Sequence, residues 1–208
     1  MPIKRIIVYI AGLIILALGI DLNTKTMLGI SPIISVPYNI SVISGWLLGA
    51  VIFSYYVLLV ILQILIQKKD FPVYQFLQIP CAFVTSAAVQ IFDNVIPVPG
   101  HIALKIIVLI LAIVVTAIGA SLVVGMKIVP NPADGLANII GTKLGHGFGF
   151  GKNIIDFISI TVSIIIGLVA KGSIIGIGIG TVITMIMTGR VIALLQNTID
   201  SIYGWASK

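Results

Sequence analysis

Six apolar runs, each long enough to cross a bilayer, follow one another in this chain with little polar sequence between them. They cover roughly Ile6–Leu28, Trp46–Gln67, Val73–Ile96, Ile102–Val124, Phe150–Ala170 and Ile174–Leu195. A helix of about 20 apolar residues spans the hydrocarbon core of a bilayer. No water reaches backbone N–H and C=O groups there, so a run that is apolar on every side satisfies them within itself, as a helix. The chain is 59% hydrophobic and 9% charged over 208 residues. That is too little polar matter to coat a soluble domain of this size. The expected fold is all-α and integral to the membrane, one polytopic domain over residues 1–208.

The first run reads as a retained helix. Its apolar stretch from Ile6 to Ile20 is long for a signal peptide, and Asp21, Asn23 and Lys25 follow it instead of a small-residue cleavage site. The net charge of +6 sits at helix ends, without interleaved aromatics. It therefore reports topology, and nucleic acid is excluded as a partner. With the N-terminus inside, Lys4, Arg5, Lys68, Lys69, Lys127, Lys143, Lys152 and Lys208 are cytoplasmic and Arg190 lies near that face. Only Lys25, Lys105 and Lys171 fall outside. The positive-inside rule selects this arrangement, a multi-pass protein of the cell membrane with both termini cytoplasmic.

Two short polar breaks interrupt the apolar pattern. Ser31-Pro32 and Asn131-Pro132-Ala133-Asp134-Gly135 each combine a capping residue with proline at the first helical position. Each follows a long helix that carries Ala-x-Gly, at Ala17/Gly19 and at Ala117/Gly119. At that offset Leu22, Pro32 and Ile40 also match Leu122, Pro132 and Ile140. The element order repeats as span, Pro-started helix, span, span, over about 5–97 and about 101–200. Three spans per half force the halves to insert in opposite senses, as two inverted repeats. Short helices opening from opposite faces would present N-terminal N–H groups to a shared cavity, suited to an anion or a carboxylate. The same motifs also fit interfacial helices whose caps have no further role. Pro37 is expected to interrupt the first of them.

Charges within the hydrocarbon are costly, so each is a candidate for function. Asp156 heads a polar stripe with Ser159 and Ser163 on one face of the fifth span. With Asn131, Asp134 and Asn138 it forms the expected core of a solute site, and two close carboxylates would suit proton coupling. Ser31 marks the corresponding start in the first half. Asp21 and Lys25, four apart, share a helix face. Either they neutralise one another or Asp21 serves a cation or proton site. Asp93 is expected to pair with Lys105. Arg190 either snorkels to the interface or pairs with Asp156 or an anionic solute. Gly176, Gly178 and Gly180 read as a close approach of two helices, and Gly145–Gly151 as a flexible link. Cys81 is a lone small hydrophobe. His101 and His146 stand apart, so no metal or other cofactor is expected and no nucleophile–base pair marks an enzyme.

Several of these residues together resemble the bacterial YczE/YyaS/YitT group of six-span membrane proteins. They are Gly29, Ser31 and Pro32; Pro132, Asp134, Gly135 and Leu136; Asp156; Gly178, Gly180 and Thr181; and the Gln78-to-Asp93 helix. The resemblance implies the six-span architecture and little chemistry. The chain departs from the group at Ile34, where an acidic residue is usual, and at Arg190, where proline is usual. Asn-Pro-Ala also starts the half-helices of aquaporin-like channels, but those follow the second span of each half and these follow the first, which makes the likeness one of physics.

The expected function is a small transporter or permease for a small polar or anionic solute, with proton coupling open. The site residues would be Asn131, Asp134, Asn138, Asp156, Asp21, Ser31 and Arg190. The alternatives are a non-transporting membrane partner, such as a solute-capture subunit or an accessory to another complex, and a passive channel. Implied partners are the lipid bilayer, a small-molecule solute, and a second copy of the chain or another membrane protein.

Overall fold

A computed structural model describes residues 2–208 and is all-helical among them. Its helices are α1 (Ile3–Lys25), α2 (Pro32–Ser44), α3 (Leu48–Gln67), α4 (Gln78–Val95), α5 (Ile102–Gly125), α6 (Pro132–Lys143), α7 (Gly147–Lys171) and α8 (Ile179–Ala206). Short 3-10 turns over Lys68–Asp70 and Val73–Leu77 join α3 to α4. Six helices are long and apolar enough to cross a membrane. The remaining two, α2 and α6, have 13 and 12 residues. At 1.5 Å per residue they reach about 18–20 Å, short of a full crossing.

Polarity is arranged inside out. Ile7, Ile107, Phe157 and Val169 are exposed, whereas Asn39, Gln63, Gln78 and Ser163 are fully buried. A surface of this kind suits hydrocarbon, and the polar groups then need partners within the protein. The main apolar core joins Leu16, Ala17 and Ile20 of α1 to Ile52 and Tyr56 of α3 and Leu136 of α6.

The central contact is an antiparallel crossing of α1 and α5. Gly19 lies on the backbone of Thr116, Gly119 lies on the backbone of Leu16, and Gly12 faces Leu122 and Val123. Position numbers rise on one helix as they fall on the other. Small residues allow this approach because no side chain keeps the backbones apart. Arg5 extends the contact, donating from Nε to the Met126 carbonyl at 2.6 Å and from Nη2 to that of Lys127 at 2.7 Å. Tyr9 donates its hydroxyl to the Val129 carbonyl at 3.0 Å.

Both short helices begin at their prolines. Ser31 (φ −55, ψ 140) and Asn131 (φ −58, ψ 145) share one extended N-cap conformation. The preceding links share a left-handed residue, Met27 at φ 54 and Lys127 at φ 50. The two starts differ in their caps. Asn131 accepts from the Ala133 N–H at 3.1 Å, while the Ser31 side chain makes no cap bond. Pro37 does not interrupt α2, which runs on to Ser44. A proline there removes one N–H from the second turn, and packing against α7 and α3 carries the helix past it.

Other expectations are corrected by tertiary contacts. Gly145–Gly151 is not a flexible link. Gly145 and Gly147 turn the chain with φ 74 each, and α7 has already begun at Gly147. Gly151 then rests on the Ala137 carbonyl of α6, where a side chain would collide. The glycines Gly176–Gly180 bring a link, not a second helix, against the α1–α2 connection. Ile30 donates to the Gly176 carbonyl and Gly180 to the Leu28 carbonyl, both at 2.8 Å.

Asp93 pairs with Lys25, not with Lys105. The Lys25 ammonium lies 2.8 Å from Oδ1 and donates to the backbone carbonyl of Asp93 at 2.7 Å. Lys25 is thereby drawn to α4, so the intrahelical pair with Asp21 does not form. Asp93→Ala is expected to leave a half-sheltered ammonium without its counter-ion and to cost about 1–3 kcal/mol, read by thermal unfolding in detergent. The figure sits below that for a sealed pair because the two side chains keep 12% and 31% exposure.

Candidate functional site

The starts of α2 and α6 meet in one partly open cavity of about 650 Å³. From the first come Ser31, Pro32, Ile33 and Ile34, and from the second Asn131, Ala133 and Asp134, with Asn138 one turn further on. Helix α7 contributes Lys152, Asn153 and Asp156. Helix α8 adds Thr184, Thr188 and Gln196, and α5 adds Thr116 and Ser121. Leu16 and Ile20 of α1 and Met185 and Ile192 of α8 supply apolar wall.

The α6 end of the cavity is held from outside. Gln63 of α3 and Gln78 of α4 exchange two amide hydrogen bonds, both 3.0 Å. Gln63 also donates to the Pro132 carbonyl at 3.0 Å. Gly135 makes room for this amide, since a Cβ there would lie 2.8 Å from Gln63 Oε1. Tyr56 lies beside Asn131 and near Asp134. The cap and the first carbonyl of α6 are thus held by Tyr56 and Gln63 of α3, with Gln78 of α4 behind them.

Asp156 is 3% exposed, and Lys152, four residues earlier on α7, stands 3.6 Å from its Oδ2. Lys152 also lies near Asp134, and the two carboxylates lie near each other. The charged lining is therefore two carboxylates and one ammonium. The α6 N-terminus does not offer an open set of N–H donors as expected. Pro132 has none, Ala133 N–H is bonded to Asn131, and Asp134 sits in the first turn.

Ser31, Asn131, Asp134, Asn138 and Asp156 share this cavity; Asp21 and Arg190 do not line it. Asp21 is fully buried in α1, and neither carboxylate oxygen has a hydrogen-bond partner among the described residues. Two residues on, Asn23 accepts from the Ser31 N–H at 2.7 Å and donates to Thr184 at 3.3 Å. Arg190 is exposed. Its neighbour Gly189 lines the cavity, and one residue turns a helix by about 100°, which carries the guanidinium away. The partner expected of it beside Asp156 is Lys152. The stripe below Asp156 also has another task, since Ser163 accepts from Asn39 of α2, which binds Ile175 as well at 2.9 Å.

Lys152, read only as a cytoplasmic charge, and Asn153 were not singled out as cavity residues, though their spacing could have found them. They precede Asp156 by four and three positions and share its face. Thr184, Thr188 and Gln196 follow the same helical spacing on α8, but no charge marked that face.

Six helices long and apolar enough to cross a membrane, with two too short to cross, define a multi-pass α-helical membrane protein. The chain belongs to the DUF6198 family, a family of unknown function whose model matches residues 3–197. No curated protein and no solved structure matches it.

Proposed function

We propose that the protein is a small membrane transporter built from two inverted halves, about 5–97 and about 101–200, that binds a small polar solute between them. One observation carries this reading. Helix starts that lie 100 positions apart in sequence line a single cavity whose largely apolar wall carries Asp134, Asp156 and Lys152. Broken helices meeting near mid-membrane are the usual means by which transporters hold solutes. The inverted relation is supported by the reciprocal Gly19–Thr116 and Gly119–Leu16 contacts and by the matched left-handed residues Met27 and Lys127. It is supported also by Pro32 and Pro132, which open the two short helices.

In this reading both termini are cytoplasmic and the protein resides in the cell membrane, the arrangement favoured by its lysines and arginines. The six-span YczE/YyaS/YitT group is the proposed kin. Asp134 and Asp156 hold the solute, Asn131 and Asn138 orient it, and Ser31 bounds it from the first half. Asp21 stands apart from the solute, in reach of a coupling role.

The test begins with a thermal-shift screen of small polar solutes on the purified protein, because any ligand of the folded state stabilises it. Hits are then followed in proteoliposomes. Saturable uptake is expected, abolished by Asp156→Asn and by Asp134→Asn at unchanged protein level. Non-saturating flux would identify a channel, and tight binding without movement a capture subunit. Variants that leave both binding and flux unaltered would remove these residues from the site.

A further inference from the structure

We propose that the cavity takes a small protonated amine carried on a short hydrocarbon body, and not an anion. This rests on the reading of the cavity as a solute site and specifies its ligand class. The first argument is charge. Asp134 and Asp156 face Lys152 alone, and the rest of the lining is uncharged. One carboxylate is in surplus, and a cation entering the cavity would balance it. The existing pair is also loose, since 3.6 Å between Lys152 and Asp156 exceeds the usual length of a strong charge-assisted bond. Lysine is a flexible point charge, so a solute ammonium can replace it at Asp156.

The second argument is hydrogen bonding. Ser121, 6% exposed, lines the cavity, and its hydroxyl has no partner among the described residues. The Thr188 hydroxyl lines the same cavity and is also unpartnered. Buried polar groups seldom stay unsatisfied, so two orphaned hydroxyls of lining residues, closed off just behind the cavity surface, favour a polar ligand toward which their rotamers can turn. Gln196 already donates its amide to Asp200 at 3.3 Å, which leaves Oε1 as an acceptor. Two carboxylates and this carbonyl accept only, and the two hydroxyls accept as well as donate, which suits N–H donors; Lys152 and the amides of Asn131, Asn138 and Asn153 are the donors in the lining.

The third argument weighs against an anion at the start of α6. An anion at the start of α6 would meet Asp134 in the first turn, a proline without an N–H, and an Ala133 N–H already bonded to Asn131. The dipole of that helix is answered by the protein's own carboxylate. Ile20, Ile33, Met185 and Ile192 then give a short hydrocarbon body an apolar face to lie against.

The experiment uses the full-length protein in detergent with n-butylammonium, 1,4-diaminobutane and butyrate as probes, followed by thermal shift and calorimetry. The amines are expected to stabilise the protein saturably and butyrate to leave it unmoved. Asp134→Asn and Asp156→Asn should each weaken amine binding on the order of tenfold or more, the loss of one charge-assisted bond. Lys152→Gln should tighten it by removing the competitor. Stabilisation by butyrate with inert amines overturns the proposal, and that comparison needs no variant. So does amine affinity unchanged in both aspartate variants. Amine binding without movement in proteoliposomes would overturn transport and leave the ligand class standing. Saturable uptake of butyrate would do the reverse.

Discussion

Gly119→Leu is expected to prevent the bundle from assembling. A side chain at Gly119 would enter the backbone of Leu16 and Ile15, not the end of a movable side chain. Overpacking a core usually costs about 1–3 kcal/mol because rotamers and neighbours yield. Backbone does not yield in that way, so α1 and α5 must separate along their length. That separation would also strain the Arg5 and Tyr9 bonds to the carbonyls of Met126, Lys127 and Val129. The cost is at least about 3 kcal/mol, a large share of the total stability of an ordinary domain. Gly19→Leu should match it, because Gly19 meets the Thr116 backbone in the same manner. Gly100→Leu is the control, a glycine with nothing near its absent Cβ. Yield of monodisperse protein and thermal unfolding in detergent separate these variants. Equal behaviour of Gly119→Leu and Gly100→Leu would mean that the crossing is not what holds the two helices.

The crossing also marks how far sequence reasoning reaches. Long apolar runs must become helices in hydrocarbon, so all six spans were legible, and so were Pro32 and Pro132 as helix starts. What lies beyond is decided between helices. Lys25 and Asp21 have ideal spacing for a pair, yet α4 offers Lys25 a better-placed carboxylate in Asp93, across 68 positions of sequence. Arg190 and Gly189 differ by one position, which on a helix decides between the exposed surface and the cavity. The Gly145–Gly151 stretch looks flexible by composition, but Gly151 is needed where α7 lies on α6. In the site, Asp134 and Asp156 could be singled out because charge is rare in this chain. Ser121 and Thr188 could not, since hydroxyls are common in membrane helices and only packing leaves these two unpartnered.

Gln63→Leu is expected to destabilise the protein by about 2–4 kcal/mol and to loosen the cavity. The variant keeps the shape of a buried side chain but removes three hydrogen bonds. The Gln78 amide is left with only a 3.3 Å bond to Gln75, and the Pro132 carbonyl keeps its place in the helical ladder but loses its side-chain donor. Hydrogen bonds between membrane helices average only ~0.6 kcal/mol, because the unfolded segments also find partners. Leaving a buried group unpaired costs more, about 1–3 kcal/mol each. Gln78→Leu should be milder, since Gln63 retains Pro132. The double variant Gln63→Leu/Gln78→Leu should cost less than the two single losses added, because both members of the amide pair are gone together. A coupling below about 0.5 kcal/mol in this cycle would argue against the paired amides. The two single variants should also part company in ligand binding. Pro132 begins the turn that carries Asp134, and Gln63 is the side chain that ties its carbonyl to α3. Gln63→Leu should therefore weaken solute binding even where the protein still folds, while Gln78→Leu should lower stability and leave affinity near that of the parent. If both weaken binding alike, the cavity depends on the stability of the whole α3–α4–α6 corner and not on the anchor at Pro132.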